Sequence, residues 1–338
     1  MEFIWKERLQ IIKSLTIARI VNAFKLYFSY YFSIFLKRPI VWGLPLSIAF
    51  EPTTSCNLRC PECPSGLRSF TRPTGNADLS DFKTLIDKVN KHVFYLSLYF
   101  QGEPYLNAAF FDMILYAKKA KIYTATSTNA HYLNEENCFR TIQSGLDRLI
   151  ISLDGISQES YSKYRIGGDL KKVEEGIRNM VKAKEKLNSL TPFIVIQSIA
   201  FSHNEHELEE IKGLKDTWGV DYVLIKTAQV SQPEESVLLP KNPKLSRYKY
   251  INGAYSLESN LPNKCWRMWS SPVVTQEGQL IPCCFDKDAE HRMGNIVQED
   301  FNEIWKNDKY LNFRKQMFLD RKLIDICKNC SEGVKVWN

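Results

Sequence analysis

The sequence has no phosphate-binding loop, no Ser-His-Asp pattern and no internal repeat. P-loop nucleotide chemistry, triad hydrolysis and solenoid architectures are therefore set aside. Long apolar runs are also missing. The longest uncharged run near the N-terminus goes only from Leu26 to Leu36, against about 20 apolar residues for a bilayer span. No small-residue cleavage site follows it, so it is not a secretory signal. Histidine is scarce. His92, His131, His203, His206 and His291 form no ligand spacing, so histidine-based metal centres are set aside. Excess charge is absent beyond residue 40. Lys6, Arg8, Lys13, Arg19, Lys25, Lys37 and Arg38 stand against Glu2 and Glu7, so residues 1–40 carry +5 of the chain's +7. The nearly neutral body offers no nucleic-acid-binding face.

Cysteine, in contrast, is abundant: nine in 338 residues, grouped at 56/60/63, 265, 283/284 and 327/330, with Cys138 apart. The odd number and the lack of a signal point to thiols that ligate metal in a reducing, cytoplasmic compartment rather than to disulfides. Cys138 falls in a helical pattern and reads as a core thiol. Cys56, Cys60 and Cys63 lie on one short loop at C-x3-C-x2-C spacing. Three thiolates so close suit a cubane iron–sulfur cluster with one iron left open. A zinc knuckle is the other reading of these residues.

From residue 46 strand-like and helix-like runs alternate. The strands are Ser47–Glu51, Tyr95–Gln101, Ile122–Ser127, Arg148–Asp154, Phe193–Phe201 and Tyr222–Thr227. They are nearly continuous apolar runs, as parallel strands buried on both faces require. Helices are expected over Asp81–His92, Ala108–Lys119, Glu135–Ser144, Leu170–Leu187 and Glu205–Trp218. Six such units give an α/β domain with a parallel sheet, two units short of a closed eightfold barrel. Chemistry in such sheets sits at the carboxyl ends of the strands. Those ends carry Gln101-Gly102-Glu103-Pro104, Ser127-Thr128-Asn129, and Ser152-Leu153-Asp154-Gly155 followed by Tyr164-Arg165.

The cysteine loop with these strand-end motifs resembles the radical S-adenosylmethionine (SAM) superfamily. The resemblance implies a partial (β/α)6 barrel and a [4Fe–4S] cluster on Cys56, Cys60 and Cys63 whose open iron binds SAM. It further implies SAM contacts from Gly102, Glu103, Pro104, Ser127, Asn129, Ser152, Asp154 and Arg165. Two positions depart from the family pattern. Glu62 stands where an aromatic residue often packs on adenine, and Gln101 stands for the first glycine of the strand-two motif.

Pro233, Pro240, Pro243 and Pro262 mark residues 231–263 as a linker. Beyond it, Val273–Cys283 reads as a hairpin turning at Glu277-Gly278, and Asp300–Met317 as a helix. Cys265, Cys283, Cys327 and Cys330 resemble the ligand set of a SPASM/twitch domain, which implies a second, fully ligated [4Fe–4S] cluster. A four-cysteine zinc site is the alternative, and Cys284 competes with Cys283 as ligand. Asp286 and Glu277 flank the paired cysteines and are candidates for taking a substrate proton. The expected organisation is a hydrophobic, basic helical segment at 1–45, the core at 46–230, the linker at 231–263 and the auxiliary domain at 264–338. The basic residues and the Tyr27–Phe32 aromatic cluster suit a membrane surface. Packing on the core or on a partner is the other reading.

The implied activity is reductive SAM cleavage to a 5′-deoxyadenosyl radical, fed by a donor such as flavodoxin or ferredoxin, followed by hydrogen abstraction. The expected outcome is a two-electron oxidation of a small molecule, sugar or lipid-linked envelope precursor. Forty residues are too few for the peptide-recognition module that peptide-modifying relatives often carry. Peptide maturation is the alternative. A non-catalytic zinc- or iron–sulfur-binding protein is the reading of another class.

Overall fold

The computed structural model of the chain describes residues 2–257 and 261–332. Two helices lead, α1 (Glu2–Lys13) and α2 (Ile17–Leu36). Six strands follow: β1 (Ser47–Phe50), β2 (Tyr95–Ser97), β3 (Tyr123–Thr128), β4 (Arg148–Ser152), β5 (Phe193–Ala200) and β6 (Tyr222–Thr227). The helices between them are α3 (Pro64–Leu67), α4 (Leu79–Val89), α5 (Phe110–Lys119), α6 (Glu135–Gln143), α7 (Gln158–Tyr164), α8 (Leu170–Lys186) and α9 (Leu208–Trp218). Strands β1 to β6 pair in sequence order and in parallel, and β1 does not pair with β6. The barrel is therefore open.

Side chains alternate across each strand. Leu149, Ile151 and Leu153 face outward into one large core with Val173 and Ile177 of α8. By the same alternation Arg148, Ile150 and Ser152 face the lumen, with Tyr95 and Tyr99, Val195 and Gln197, and Leu224 and Lys226 from the other strands. The lumen is thus partly polar, while the outer face is apolar and sealed by helices. That difference leaves room for chemistry inside.

The C-terminal part does not stand apart from the barrel. The hairpin β9 (Val273–Val274) and β10 (Gln279–Ile281) turns at Gly278, whose φ of +78° suits a residue without Cβ. Strand β9 pairs in parallel with β1, Ala49 opposite Val273, and β11 (Gly294–Asn295) extends the same nine-stranded sheet. The segment read as a linker contains a hairpin of its own, β7 (Tyr248–Ile251) and β8 (Ala254–Leu257). Its Leu239 and Tyr248 pack with Leu58 and Cys60 of the cysteine loop. The helix expected over Asp300–Met317 is two, α11 (Phe301–Lys306) and α12 (Asp308–Asp320), after the short α10 (Arg267–Ser270). Asn307 ends the first and caps the second, its Oδ1 accepting from Tyr310 N at 2.9 Å.

Candidate active site and cluster sites

The loop after β1 is held by its neighbours rather than by its own secondary structure. Glu103 N donates to Ser55 O at 2.8 Å, Arg59 N to Ile166 O at 2.9 Å, and Gly102 N to Ser65 Oγ at 2.9 Å. Gly102 has φ +72°, and a Cβ there would fall on the carbonyl oxygen of Thr53. The strand-two glycine thus lets its backbone lie against the cysteine loop. Cys56, Cys60 and Cys63 line one cavity of ≈ 270 Å³. Burial lifts the Cys56 thiol to about 11 and raises that of Cys60. Without a metal these two would stay neutral thiols; a cationic iron centre reverses that preference.

Donors already face two of these sulfurs. Leu58 N approaches Cys56 Sγ at 3.4 Å, and Arg165 Nη1 approaches Cys60 Sγ at 3.8 Å. Gln101, in the glycine position of the motif, is buried and accepts from Cys63 Sγ at 3.5 Å. The donors at Cys56 and Cys60 fit an anionic sulfur cluster.

Gly102, Glu103, Ser127, Asn129, Ser152 and Arg165 line the same cavity; Pro104 and Asp154 do not. Glu103 ties β2 to β3: Oε1 accepts from Thr128 Oγ1 and Oε2 from Asn129 N, both at 2.8 Å. Burial lifts its carboxyl to about 7. Asn129 Nδ2 donates to Asn57 Oδ1 at 2.7 Å, joining β3 back to the cysteine loop. Asp154 lies behind the wall and orients Arg165, accepting from its Nε at 2.6 Å. Glu62 also lines the cavity, yet its carboxylate turns away to Ser231, whose N and Oγ each donate at 2.8 Å.

Tyr99, Tyr164 and Lys287 also line it, beside Leu58, Phe100 and Thr128, and none of them was among the expected site residues. Tyr99 was recoverable, because it stands two residues before Gln101 on the lumen side of the strand. Lys287 was not. It reaches over from the C-terminal part, its Nζ donating to Glu62 O at 3.2 Å.

The second group comprises Cys265, Cys283, Cys327 and Cys330, all buried. Burial raises all four thiols, that of Cys327 to about 12, and Cys265, Cys283 and Cys327 are raised further by other cysteines of the set. The buried guanidinium of Arg321 donates from Nη2 to Cys330 Sγ at 3.3 Å, and Glu332 N approaches the same sulfur at 3.3 Å. Arg314 is buried nearby in an aromatic cage, 3.8 Å from the Tyr310 ring centre and 4.2 Å from that of Trp305. Four thiolates beside two buried cations in an apolar shell suit a cluster of net negative charge.

The adjacent cysteines diverge. Cys283 is buried and lies near Cys265 and Cys327, whereas Cys284 is partly buried against Val273, Ile281 and Ala289 and lies near Tyr99 and Lys226. We therefore propose Cys283 as the ligand of the second cluster, with Cys284 on the lumen side.

The two carboxylates expected to take a proton are not brought to the cavity. Asp286 is buried, and its oxygens accept from Glu290 N at 2.8 Å and His291 N at 2.9 Å. It pins a turn, which is what a short carboxylate beside free backbone N–H groups does. Glu277 sits half-buried at the tip of the β9–β10 hairpin, near the buried Glu51–Arg72 pair.

Comparison with known proteins agrees with this geometry. Residues 50–214 match the family model of the radical SAM superfamily, and residues 265–331 match SPASM, an iron–sulfur cluster-binding domain. The chain is 24% identical over 311 residues to the tungsten-containing aldehyde ferredoxin oxidoreductase cofactor-modifying protein of Pyrococcus furiosus, covering 83% of this chain and 86% of that one. It is also 24% identical over 289 residues to the S-adenosyl-L-methionine-dependent 2-deoxy-scyllo-inosamine dehydrogenase of Niallia circulans, covering 84% and 92%. Among solved structures, native anSMEcpe with bound AdoMet superposes with a TM-score of 0.60 at 20% identity, covering 85% of this chain and 87% of that one. The chain belongs to the radical SAM superfamily, carries a C-terminal SPASM domain, and takes SAM and two iron–sulfur clusters as its cofactors.

Proposed function

We propose that this enzyme removes two electrons from a small molecule bearing a carboxylate or phosphate, held in the barrel lumen. The observation that carries the reading is Lys226. Its place on β6 turns it inward, and among the described residues it has no hydrogen bond or ion pair. Desolvation by the lumen wall lowers its pKa although the side chain still reaches solvent, and Arg148, Arg267 and Arg247 lower it further. Each of those three has a partner. Arg148 meets Glu7 at 3.4 Å, Arg267 meets Glu332 at 3.3 Å, and Arg247 donates to Thr227 and Ser331. Among the described residues Lys226 is the lumen cation left without one, and an anionic group on the substrate would supply it.

When bound, SAM and the two clusters supply a hydrogen-abstracting carbon radical and an acceptor for the second electron. The chain's residues hold the partners in place. Arg165 and the Glu103–Asn129 bridge fix the SAM side of the cavity. Tyr99 lines that cavity and also meets Cys284 and Arg267 electrostatically, so it joins the SAM side to the lumen. The lumen is open to water at Lys226, which gives the substrate's proton an acceptor without a dedicated carboxylate. A flavodoxin or ferredoxin is the electron donor on this reading, and the cytoplasm its compartment; all nine cysteines are unpaired. The dehydrogenase relative supports an oxidation.

The test is SAM cleavage by the reconstituted enzyme, read as 5′-deoxyadenosine, with cell extract fractionated by anion exchange. Stimulation should follow retained, low-mass fractions. Lys226→Met should lose at least about tenfold of that stimulation, with unstimulated cleavage within about twofold of wild type. Stimulation by neutral or peptide fractions, unchanged in Lys226→Met, would overturn the reading.

A further inference from the structure

The N-terminal helices present the inverse of an ordinary surface helix. α2 buries Arg19, Leu26, Ser29, Tyr30 and Ser33. It turns Ile17, Val21, Phe24, Phe28, Tyr31 and Phe35 outward, with exposures from 46% at Val21 to 83% at Ile17 and Phe35. These six recur at spacings of four and three, so they form one stripe about half a turn from the buried one. α1 repeats the pattern. Trp5, Leu9 and Ile12 are 60%, 44% and 54% exposed, opposite the buried Glu7.

Polar contacts fix this orientation. The Arg19 guanidinium donates to Ser14 O at 2.5 Å, Lys121 O at 2.6 Å, Asn90 O at 2.7 Å and Ala120 O at 2.8 Å. Asn22 exchanges hydrogen bonds with the backbone of Leu44, at 2.8 and 2.9 Å. Glu7 accepts from Tyr123 Oη at 2.7 Å. Rolling either helix to hide its apolar stripe would strand these buried groups, so the outward stripe is built in.

The charge around the stripes identifies the occupant. Among the described side chains of residues 5–42, every exposed charge is positive: Lys6, Arg8, Lys13, Lys25, Lys37 and Arg38. A second copy docked through the same two helices would bring Arg8, Lys13, Lys25, Lys37 and Arg38 together with no exposed acid among the described side chains of residues 5–42 to pair them. Aromatic and aliphatic residues ringed by lysine and arginine match the headgroup region of an acidic bilayer. No helix among the described residues is long and apolar enough to cross a membrane, so the helices would lie on the leaflet.

We propose that α1 and α2 dock the enzyme on an anionic lipid surface. Glu7 meets Tyr123 and Arg148, the first residues of β3 and β4, whereas the cysteine cavity lies at the opposite ends of the strands. The SAM site therefore faces away from the end that α1 covers, toward the water phase.

The experiment is flotation of the chain with vesicles of phosphatidylcholine, with and without phosphatidylglycerol as the anionic lipid, alongside its mass in solution. Binding to the anionic vesicles is expected, with at least tenfold weaker binding to neutral ones. Each surface cation near an anionic leaflet is worth about a factor of five in partitioning. Lys25→Gln/Lys37→Gln/Arg38→Gln should therefore weaken binding about a hundredfold. Phe24→Ser/Phe28→Ser/Phe35→Ser should also abolish flotation; the charge variant keeps the test valid where the apolar one misfolds. SAM cleavage serves as the folding control, since none of these residues lines the cavity. A chain that stays unbound, that binds both vesicle types alike, or that forms a dimer dissociated by the phenylalanine variant overturns the proposal.

Discussion

Arg165 spans the carboxylate of Asp154 and the thiol of Cys60, its Nε 2.6 Å from Oδ2 and its Nη1 3.8 Å from Sγ. The other oxygen of Asp154 accepts from Ile199 N at 2.7 Å, so one buried carboxylate links β5 to the residue that faces the cluster. Despite its burial, Arg165 is held well above the ordinary arginine value by Asp154 and then by Cys60. Breaking such a pair by removing one partner costs about 3–5 kcal/mol, because a buried charge is left alone. Asp154→Asn should lower the melting temperature and weaken SAM binding about tenfold, with iron content kept. Calorimetric titration of the reconstituted variant checks it. Unchanged SAM affinity would show that Asp154 only braces the wall.

The opposed directions of Cys283 and Cys284 separate their roles. Cys283→Ser should cut iron by about four atoms per chain after anaerobic reconstitution, whereas Cys284→Ser should keep the full complement. Iron and sulfide analysis decides between them. Equal loss in both variants would mean that the pair shares the cluster. A zinc centre would show in the same analysis.

The outward and inward faces of the barrel strands were legible because alternation and near-continuous apolar runs leave few other solutions. Tyr222–Thr227 appears with the bounds read from the sequence. The strand-two run was expected to reach Gln101 but pairs only through Ser97, because the chain there peels away toward Ser65 and the cysteine loop. Eight of the ten non-cysteine site candidates came from motif order, and six of those eight line the cavity. Asp286 and Glu277 were chosen for closeness in sequence to Cys283. Closeness in sequence does not say which way a carboxylate turns, and both oxygens of Asp286 go to backbone N–H groups of its own turn. The pairing of β9 with β1 and the reach of Lys287 to Glu62 join residues more than 200 apart. No local pattern encodes such contacts.

Two glycines hold the cysteine loop close to its supports. A Cβ at Gly66 would lie 2.5 Å from Cys60 N and 2.6 Å from Cys60 O, and one at Gly102 would strike Thr53 O from a φ of +72°. The obstacles are backbone atoms of the loop itself, so they cannot swing aside as a side chain would. Gly66→Ala and Gly102→Ala should each lower iron incorporation by about half, the SAM-binding cluster being lost while the auxiliary cluster remains. Gly213→Ala is the control, since a Cβ there meets nothing within 4 Å. Full iron content in both variants would show that the loop has slack.

His92 supplies a pH test remote from both clusters. It is buried, its Nε2 has no partner among the described residues, and its ring lies 5.6 Å from that of Phe301. Burial first, and Arg19 second, lower its pKa from 6.5 to about 4. Between these values the unfolded chain takes up a proton that the folded chain refuses. The stability from this group is therefore complete above pH 6.5 and is lost as pH falls toward 4. The full span is on the order of 3 kcal/mol. Phenylalanine removes the proton site and also the unpartnered nitrogen, so His92→Phe should change stability little near pH 8. At pH 5 it should melt above wild type, with the gap widening on further acidification. Denaturant melts from pH 8 to 4.5 measure the gap directly, and a gap independent of pH would mean that His92 finds a proton partner in the folded chain.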